Sequence, residues 1–310
     1  MIITLSILGG ALVALIGIIW FGITNVLPYS AIKPFRVTQQ KLDSQFPQYS
    51  SRAIQEVAPT NFTFTTRDSV QLDSWLVRPQ DTTQEPKGTV IVFHGIASCK
   101  EMMLGAVKHY SSLGYNVLAY DSRANGKSGG DYCTLGYYEK YDVSDCITFA
   151  EQKFGITGPY AVHGSSMGGA IAMQALAVEP RLQCGVIMST FATLHETMYD
   201  YMEQIFGIRW QWIGEPVMKK SERIARFSID DVAPEQYARN VHCPVLLVHG
   251  DSDEKIYLKY GERLYNALGS QDKQLKVIKG AKHLDVDTVG ADSLQTTIAE
   301  WMNTHLNQSR

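Results

Sequence analysis

The sequence lacks clustered cysteines, an excess of basic residues and internal repeats. Its 310 residues hold 28 Lys and Arg against 31 Asp and Glu, a balance that gives no electrostatic footprint for nucleic acid. The five cysteines are scattered without the spacing of a zinc site, so we expect free thiols and neither a metal nor another cofactor. With 45% hydrophobic residues, the chain is long enough for one large globular domain with an ample core.

Charged side chains are also missing from the beginning of the chain. No Asp, Glu, Lys or Arg appears before Lys33, and residues 2–23 are almost wholly apolar. A run of about 20 apolar residues is long enough to cross a bilayer as a helix. Trp20 and Phe21 lie near its end, where aromatic side chains favour the membrane interface. Residues 1–27 are therefore predicted to form a transmembrane anchor.

A buried helix and a cleaved signal peptide are the alternatives for this segment. A cleaved signal needs a basic start and a small-x-small cleavage site. The start is not basic and residues 29–31 are a poor site, which favours an uncleaved single-pass anchor. Because Lys33, Arg36 and Lys41 all follow the apolar run, the positive-inside rule orients the rest of the chain toward the cytoplasm. Residues 28–59 contain four prolines and are predicted as a linker with one short helix.

From residue 60 onward, apolar strands alternate with stretches of helical length. Residues 61–66 and 70–77 alternate in polarity around a short turn, which predicts an antiparallel hairpin. The later runs are continuously apolar, which predicts a mostly parallel, doubly wound sheet covered on both faces. These strands are predicted over 89–93, 116–120, 159–162, 185–189, 244–248 and 275–278, with helices over 100–112, 137–154, 167–177, 257–268 and 292–305.

The segment around Ser166 carries the strongest chemical signal. Gly164, Ser166 and Gly168 follow the pattern Gly-x-Ser-x-Gly between an apolar strand and an alanine-rich helix, which is typical of a nucleophile elbow. The serine must stand at the tip of a very sharp turn, where a side chain at either glycine position would collide with neighbouring backbone. The turn also leaves the amide of Met167 free at a helix N-terminus, where it can face a developing oxyanion.

A candidate acid and a candidate base follow the ends of later strands. A serine hydroxyl is a weak nucleophile that needs an adjacent base, and the base needs an orienting acid. The strand over 244–248 runs into Asp251 and Asp253, and the last strand runs into His283. Because the carboxyl ends of parallel strands share one edge, we expect these side chains to lie at the same edge as Ser166.

Three more histidines stand at predicted strand ends, each directly before a glycine. These are His94, His163 and His249, and we interpret them as structural side chains satisfied at the strand ends. The remaining histidines lack this placement and are interpreted as surface or core residues: His109, His195, His242 and His305.

These motifs together resemble the α/β-hydrolase superfamily, in particular its group of Bem46-like and serine-aminopeptidase-like serine hydrolases. The resemblance covers about residues 60–305 and rests on His94-Gly95, the Ser166 elbow, residues 244–253 and His283. It implies the α/β-hydrolase fold and a Ser-Asp-His triad. It is uninformative about substrate, because the superfamily carries out many reactions.

The resemblance also assigns two roles that the residues alone leave open. The acid of this group is usually the aspartate of a Gly-x-x-Asp step, which implies Asp253, with Asp251 as the second choice. The second oxyanion donor comes from the loop after the strand over 89–93, which implies the backbone amide of Ile96 beside that of Met167.

A long insert over about 191–241 follows the strand over 185–189. At this point of the fold an insert commonly forms a helical cap over the nucleophile, and we expect some of its aromatic side chains to line an apolar pocket. The alternative is a cap whose aromatic residues only pack on the body. Trp210 and Trp212 are two positions apart, so in a regular helix they are expected on different faces. The aromatic residues of the insert are Phe191, Tyr199, Tyr201, Phe206, Trp210 and Trp212.

The sequence therefore predicts a membrane-anchored serine hydrolase whose substrate is a small carboxylic ester or other acyl compound. A peptidase or amidase is the alternative within enzymes, and it would need an acidic pocket built from Glu196, Asp200 or Glu203. A binding protein on a hydrolase fold is the alternative from another class, although such proteins usually lose part of the triad. The serine at the elbow argues against dehalogenase or epoxide hydrolase chemistry, which uses aspartate there.

Overall fold

A computed structural model describes residues 2–81 and 83–306 of the chain. Eight strands form one sheet in the order β1-β2-β4-β3-β5-β6-β7-β8. The first three of these, β1, β2 and β4, are paired antiparallel, and every pairing from β4 through β3 to β8 is parallel. The strands are β1 Thr60–Thr65, β2 Gln71–Val77, β3 Thr89–Phe93, β4 Asn116–Tyr120, β5 Tyr160–Ser165, β6 Leu182–Met188, β7 Val245–Gly250 and β8 Lys273–Ile278.

Helices cover both faces of the sheet, as continuously apolar strands require. The central strands β3 and β4 are buried along their whole length, and each face packs into its own apolar core. The helices are α1 Ile2–Asn25, α2 Leu27–Ile32, α3 Gln39–Gln45, α4 Ser51–Gln55, α5 Leu104–Ser112, α6 Glu139–Phe154, α7 Met167–Val178, α8 Leu194–Phe206, α9 Gln211–Ala225, α10 Pro234–Ala238, α11 Leu258–Ala267 and α12 Val286–His305.

All eight predicted strands are present, and the predicted mostly parallel α/β fold is confirmed. The last helix begins at Val286 rather than at residue 292, but it is kinked at Ala291, whose φ of 39° and ψ of −135° are not helical. The predicted start was therefore the first residue after the kink. One short turn of helix, residues 286–290, precedes the kink and lies in the chain between β8 and the main part of α12.

The N-terminal segment is more ordered than a linker with one short helix. Besides α2, α3 and α4 it contains a 3₁₀ turn, Pro47–Tyr49. Ile32 and Leu42 are buried, and the carbonyl of Ile32 accepts a hydrogen bond from the amide of Cys133. The prediction failed because proline and polar composition describe local preference, whereas the few apolar side chains of this segment are buried by tertiary contact.

Arg36 fastens this segment to the loop that follows β4. Its guanidinium donates to the carbonyls of Asn125 at 3.3 Å, Gly126 at 3.1 Å and Gly130 at 3.1 Å. It also donates to the carbonyl of Ser128. One side chain therefore binds several carbonyls of this loop and joins it to the N-terminal segment.

Within the described residues, one helical stretch is long and apolar enough to cross a membrane by length and composition. It runs over Leu12–Ile32, has a mean hydropathy of 1.9 and is 6% buried. A signal sequence near the N-terminus would have the same length and composition.

The insert between β6 and β7 is helical. Its long helices α8 and α9 are joined by a short connection and are here termed the insert hairpin, and the short α10 packs against α7. Tyr199 of α8 is buried against α9, where a side chain on Gly214 would lie 2.8 Å from the tyrosine ring. The two helices of the hairpin are therefore in close contact.

Candidate active site

Ser166 stands at a sharp turn between β5 and α7. Its φ of 56° and ψ of −121° are strained for a residue with a side chain. A Cβ on Gly164 would lie 2.1 Å from the carbonyl oxygen of Gly168, and a Cβ on Gly168 would lie 2.3 Å from that of Phe93. Both glycines are thus required by close backbone approach, which is the physical reason for the Gly-x-Ser-x-Gly spacing.

His283 links the serine to an aspartate. The Ser166 hydroxyl donates to Nε2 of His283 at 3.0 Å, and Nδ1–H of His283 donates to Oδ2 of Asp253 at 2.8 Å. These bonds assign the tautomer, with the proton on Nδ1 and the lone pair of Nε2 facing the hydroxyl. The structure therefore brings Ser166, His283 and Asp253 into one continuous hydrogen-bonded chain.

The two candidate acids, Asp253 and Asp251, differ in burial and in their hydrogen-bond partners. The Asp253 side chain is fully buried, and its second oxygen accepts from the amides of Lys255 at 2.9 Å and Ile256 at 2.8 Å. Asp251 is exposed and instead accepts from the amide of Gly280 at 2.6 Å, which holds the turn that leads to His283. The carboxylate that contacts the imidazole is thus that of Asp253, while Asp251 braces the neighbouring backbone.

The loop after β3 approaches the serine closely. A Cβ on Gly95 would lie 3.5 Å from Cβ of Ser166, so the following residue, Ile96, stands beside the nucleophile with an exposed side chain. Met167 is the first residue of α7, and its amide therefore has no acceptor inside the helix. Both predicted oxyanion donors belong to backbone that flanks Ser166.

The three other strand-end histidines are buried, and burial lowers the pKa of each below its usual value. For His163, which is hydrogen-bonded to the Tyr110 hydroxyl at 2.9 Å, the pKa falls to about 4. Nε2 of His94 accepts from the amide of Ser122 at 2.9 Å, and Nε2–H of His249 donates to the carbonyl of Ile256 at 2.8 Å. All three brace strand ends, in agreement with the structural interpretation.

A buried ionic cluster below the loop after β3 was not predicted. Lys100 is fully buried, and its Nζ lies 3.1 Å from Asp121 and 3.3 Å from Glu101. Burial alone would lower the pKa of Lys100, but Asp121, Glu101 and Asp73 together raise it above the usual lysine range. Because the Lys100 amide also donates to Asp121 at 2.7 Å, the cluster fixes the loop that carries Ile96. No local pattern distinguishes this lysine from a surface residue.

The insert hairpin adjoins the loop that holds Asp253. Gln204 of α8 donates to the carbonyl of Lys255 at 3.2 Å. Asp200 of the same helix accepts from the hydroxyl of Tyr260 in α11. Burial, with a further contribution from the Asp253 charge, raises the pKa of Tyr201 to about 12. The C-terminal half of α8 therefore lies next to the triad.

The expected separation of Trp210 and Trp212 is wrong. Their ring centroids are 6.1 Å apart at an interplanar angle of 39°. Trp210 precedes α9 with an extended backbone, φ −89° and ψ 91°, so the rule for positions within one helix does not apply to the pair. Phe191 and Tyr199 are buried, whereas Phe206, Trp210 and Trp212 are exposed together where α8 and α9 meet.

Comparisons with known proteins agree with this architecture. Residues 84–231 match the family model described as serine aminopeptidase, S33. An uncharacterised protein of Bacillus subtilis, YqkD, is 24% identical over 83% of each chain. A monoacylglycerol lipase of Mycolicibacterium smegmatis is 23% identical over 72% of this chain and 90% of its own. The Pyrococcus furiosus esterase Pf2001 superposes with a TM-score of 0.71 at 24% identity, over 90% of this chain and 99% of the esterase.

The fold and the site at the carboxyl edge define an α/β-hydrolase. More particularly, the family match over residues 84–231 and the similarity to a lipase and an esterase support a serine hydrolase on this fold.

Proposed function

We propose that this serine hydrolase cleaves carboxylic esters through an acyl-enzyme intermediate on Ser166. His283 takes the hydroxyl proton as Ser166 attacks the acyl carbonyl, and later passes it to the leaving alcohol; water then releases the acid. Asp253 holds the imidazole in the required tautomer. The observation that carries this proposal is the unbroken series of hydrogen bonds from Ser166 Oγ through His283 to Asp253.

The amides of Met167 and Ile96 are proposed to stabilise the oxyanion of the tetrahedral intermediate. Backbone donors placed where charge develops are worth several kcal/mol in such reactions. The position of Met167 at the start of α7 and the close approach of Gly95 to Ser166 support this assignment. The side chain of Ile96 takes no part in the step.

The charges of the insert favour an ester over a substrate with a free amine. Glu196 is paired with Arg263, Asp200 with Arg209, and Glu203 with Arg209 at 2.6 Å. All three carboxylates that could receive a substrate ammonium group already have cationic partners. An aminopeptidase activity would have to break one of these ion pairs, whereas an ester needs no such site.

The test is covalent labelling followed by a substrate panel. Full-length protein in detergent is treated with a fluorophosphonate probe, and the labelled peptide is identified by mass spectrometry. We expect labelling at Ser166 and turnover of p-nitrophenyl esters well above that of aminoacyl arylamides. Faster turnover of the arylamides would favour the peptidase alternative, and absence of labelling would favour a binding protein.

We further propose that α1 is an uncleaved single-pass anchor with the catalytic domain on the cytoplasmic side. The basic residues Lys33, Arg36 and Lys41 after the span support this orientation. Full-length protein should remain in membranes after carbonate extraction. Release by carbonate, or a mature chain that begins beyond residue 31, would contradict the anchor.

A further inference from the structure

The junction of α8 and α9 exposes several large apolar side chains that are close in sequence, here termed the apolar tip. Ile205, Trp212 and Phe206 are 72%, 69% and 55% exposed. Arg209 interrupts the group in sequence, but its guanidinium turns back to Asp200 and Glu203 on α8. The apolar tip consists of Ile205, Phe206, Ile208, Trp210 and Trp212.

The same hairpin holds the end of α1. Lys220 of α9 donates to the carbonyl of Thr24 at 2.5 Å and to Oδ1 of Asn25 at 3.1 Å. A cation at this position also stabilises the C-terminal end of the α1 dipole. Ser221 donates to the carbonyl of Pro28 at 2.7 Å. Lys220 is separated from Trp212 by a rise of about 12 Å along α9. A bilayer that contains α1 therefore has its surface beside the insert hairpin.

Basic side chains of α9 lie beside the end of α1. Lys220 and Arg223 line an open groove of about 390 Å³ together with Ile224. Lys219 is exposed on the same helix. Cationic groups close to a membrane surface attract anionic lipid headgroups, and tryptophan favours the interfacial layer below them. The hairpin thus presents both the charge and the aromatic side chains that suit a lipid surface.

We propose that the apolar tip inserts into the interfacial layer of the bilayer that α1 crosses, and that the active site takes its acyl esters from that lipid phase. The inference deepens the proposed function and rests on it. Gln204, the residue before the tip, contacts the loop that holds Asp253, so an acyl chain that leaves the bilayer at the tip enters next to the triad. The substrate class is then a membrane-dissolved long-chain ester.

The first experiment compares two substrates in one preparation. Full-length protein is reconstituted in vesicles of phosphatidylcholine and phosphatidylglycerol, and a vesicle-dissolved long-chain ester is compared with a water-soluble butyrate ester. For Phe206→Ser/Trp210→Ser/Trp212→Ser we expect turnover of the long-chain ester to fall about tenfold, while that of butyrate stays within about twofold. The control Val277→Ser/Val289→Ser removes exposed apolar groups near β8 and α12, and should change neither rate.

Loss of both activities, or of neither, would overturn the proposal. Loss of both would make the tip part of the fold or the pocket, and loss of neither would make it irrelevant to lipid access. A parent protein that fails to label with the fluorophosphonate probe would instead contradict the proposed function. The second experiment does not depend on catalysis, so it still tests insertion of the tip if labelling fails.

The second experiment measures quenching of tryptophan fluorescence by lipids with brominated acyl chains. In Trp20→Phe protein, the other four tryptophans are Trp75 and Trp301, which are buried, and the two of the tip. We expect quenching in this variant and its loss when Trp210→Phe and Trp212→Phe are added. Equal quenching with and without the tip tryptophans would overturn the proposal, as would a tip variant that only converts a dimer to a monomer in detergent.

Discussion

The turn at Ser166 and the apolar tip are both short connections beside the triad, yet they are held in opposite ways. At the turn, backbone atoms approach so closely that Gly164 and Gly168 cannot carry a side chain. At the tip, large side chains such as Trp212 are exposed to solvent, and the rings of Trp210 and Trp212 contact each other. The turn is fixed because its backbone leaves no room for side chains at Gly164 and Gly168, whereas the tip is exposed and can contact a surface outside the protein.

The difference separates the part of the molecule that holds the reacting atoms from the part that is proposed to admit the substrate. Reacting atoms must be held to fractions of an ångström, so they lie on strand ends braced by buried groups. The proposed entry of lipid-dissolved substrate uses exposed apolar area, which a braced and buried edge cannot supply. The insert hairpin adds that area without altering the sheet. Changes at the turn should therefore affect chemistry or folding, and changes at the tip should affect access.

The largest expected effect is that of Ser166→Ala. Removal of the nucleophile should abolish probe labelling and lower kcat by about 10⁵-fold or more, with an unchanged melting temperature. Ser165→Ala is the matched control and should keep most of the activity. Full activity in the Ser166 variant would contradict the mechanism.

Replacement of the acid should be the next most severe. Asp253→Asn removes the acceptor that fixes the His283 tautomer, so kcat should fall by about 10³- to 10⁴-fold. Asp251→Asn should have a much smaller effect, because Asp251 contacts the Gly280 amide and not the imidazole. Steady-state kinetics on one ester measure kcat for both variants. A larger loss of kcat in Asp251→Asn than in Asp253→Asn would assign the role of acid to Asp251.

Gly168→Ala tests the close packing of the turn without touching a reacting group. Its Cβ would overlap the carbonyl of Phe93, so the variant should lose about 3 kcal/mol or more of unfolding free energy. Gly105→Ala in α5 has open space around the new methyl group, and should gain about 0.5–1 kcal/mol from helix propensity. Urea unfolding measures both. Equal stabilities would show that the turn is less constrained than its geometry indicates.

The smallest effect is expected from removal of α1 alone. A chain that starts at Leu27 keeps Pro28 and Ile32 and should be soluble and fully stable. A chain that starts at Phe35 loses the buried Ile32 and should be less stable by about 2–5 kcal/mol. Thermal unfolding of the two chains checks the difference. If the shorter chain is equally stable, the segment after α1 is only a tether.

The strands and the triad were predictable because they depend on short-range signals. Continuous apolar runs mark the strands, and glycine at two fixed spacings from Ser166 marks the turn. The choice of Asp253 over Asp251 needed the family resemblance, since both follow β7. The structure adds the reason, which is that only one of the two carboxylates is buried against the imidazole.

The features that escaped prediction depend on distant parts of the chain. The buried Lys100 is paired with Asp73 of β2 and with Asp121, which follows β4. Trp210 and Trp212 meet because α9 begins between them, and sequence patterns place helix boundaries poorly. The folding of residues 28–59 onto the domain depends likewise on partners far away in sequence.

The bond between Ser221 and Pro28 has a consequence for biosynthesis. Its partners are 193 residues apart, so at ordinary rates of translation the N-terminal segment waits about 10–40 s for α9 to be made. During that interval α1 is already synthesised, whereas α9, which later donates hydrogen bonds to the end of α1, has not yet been made. The apolar segment is thus available for the proposed insertion into a membrane before the catalytic domain that packs against its end is complete.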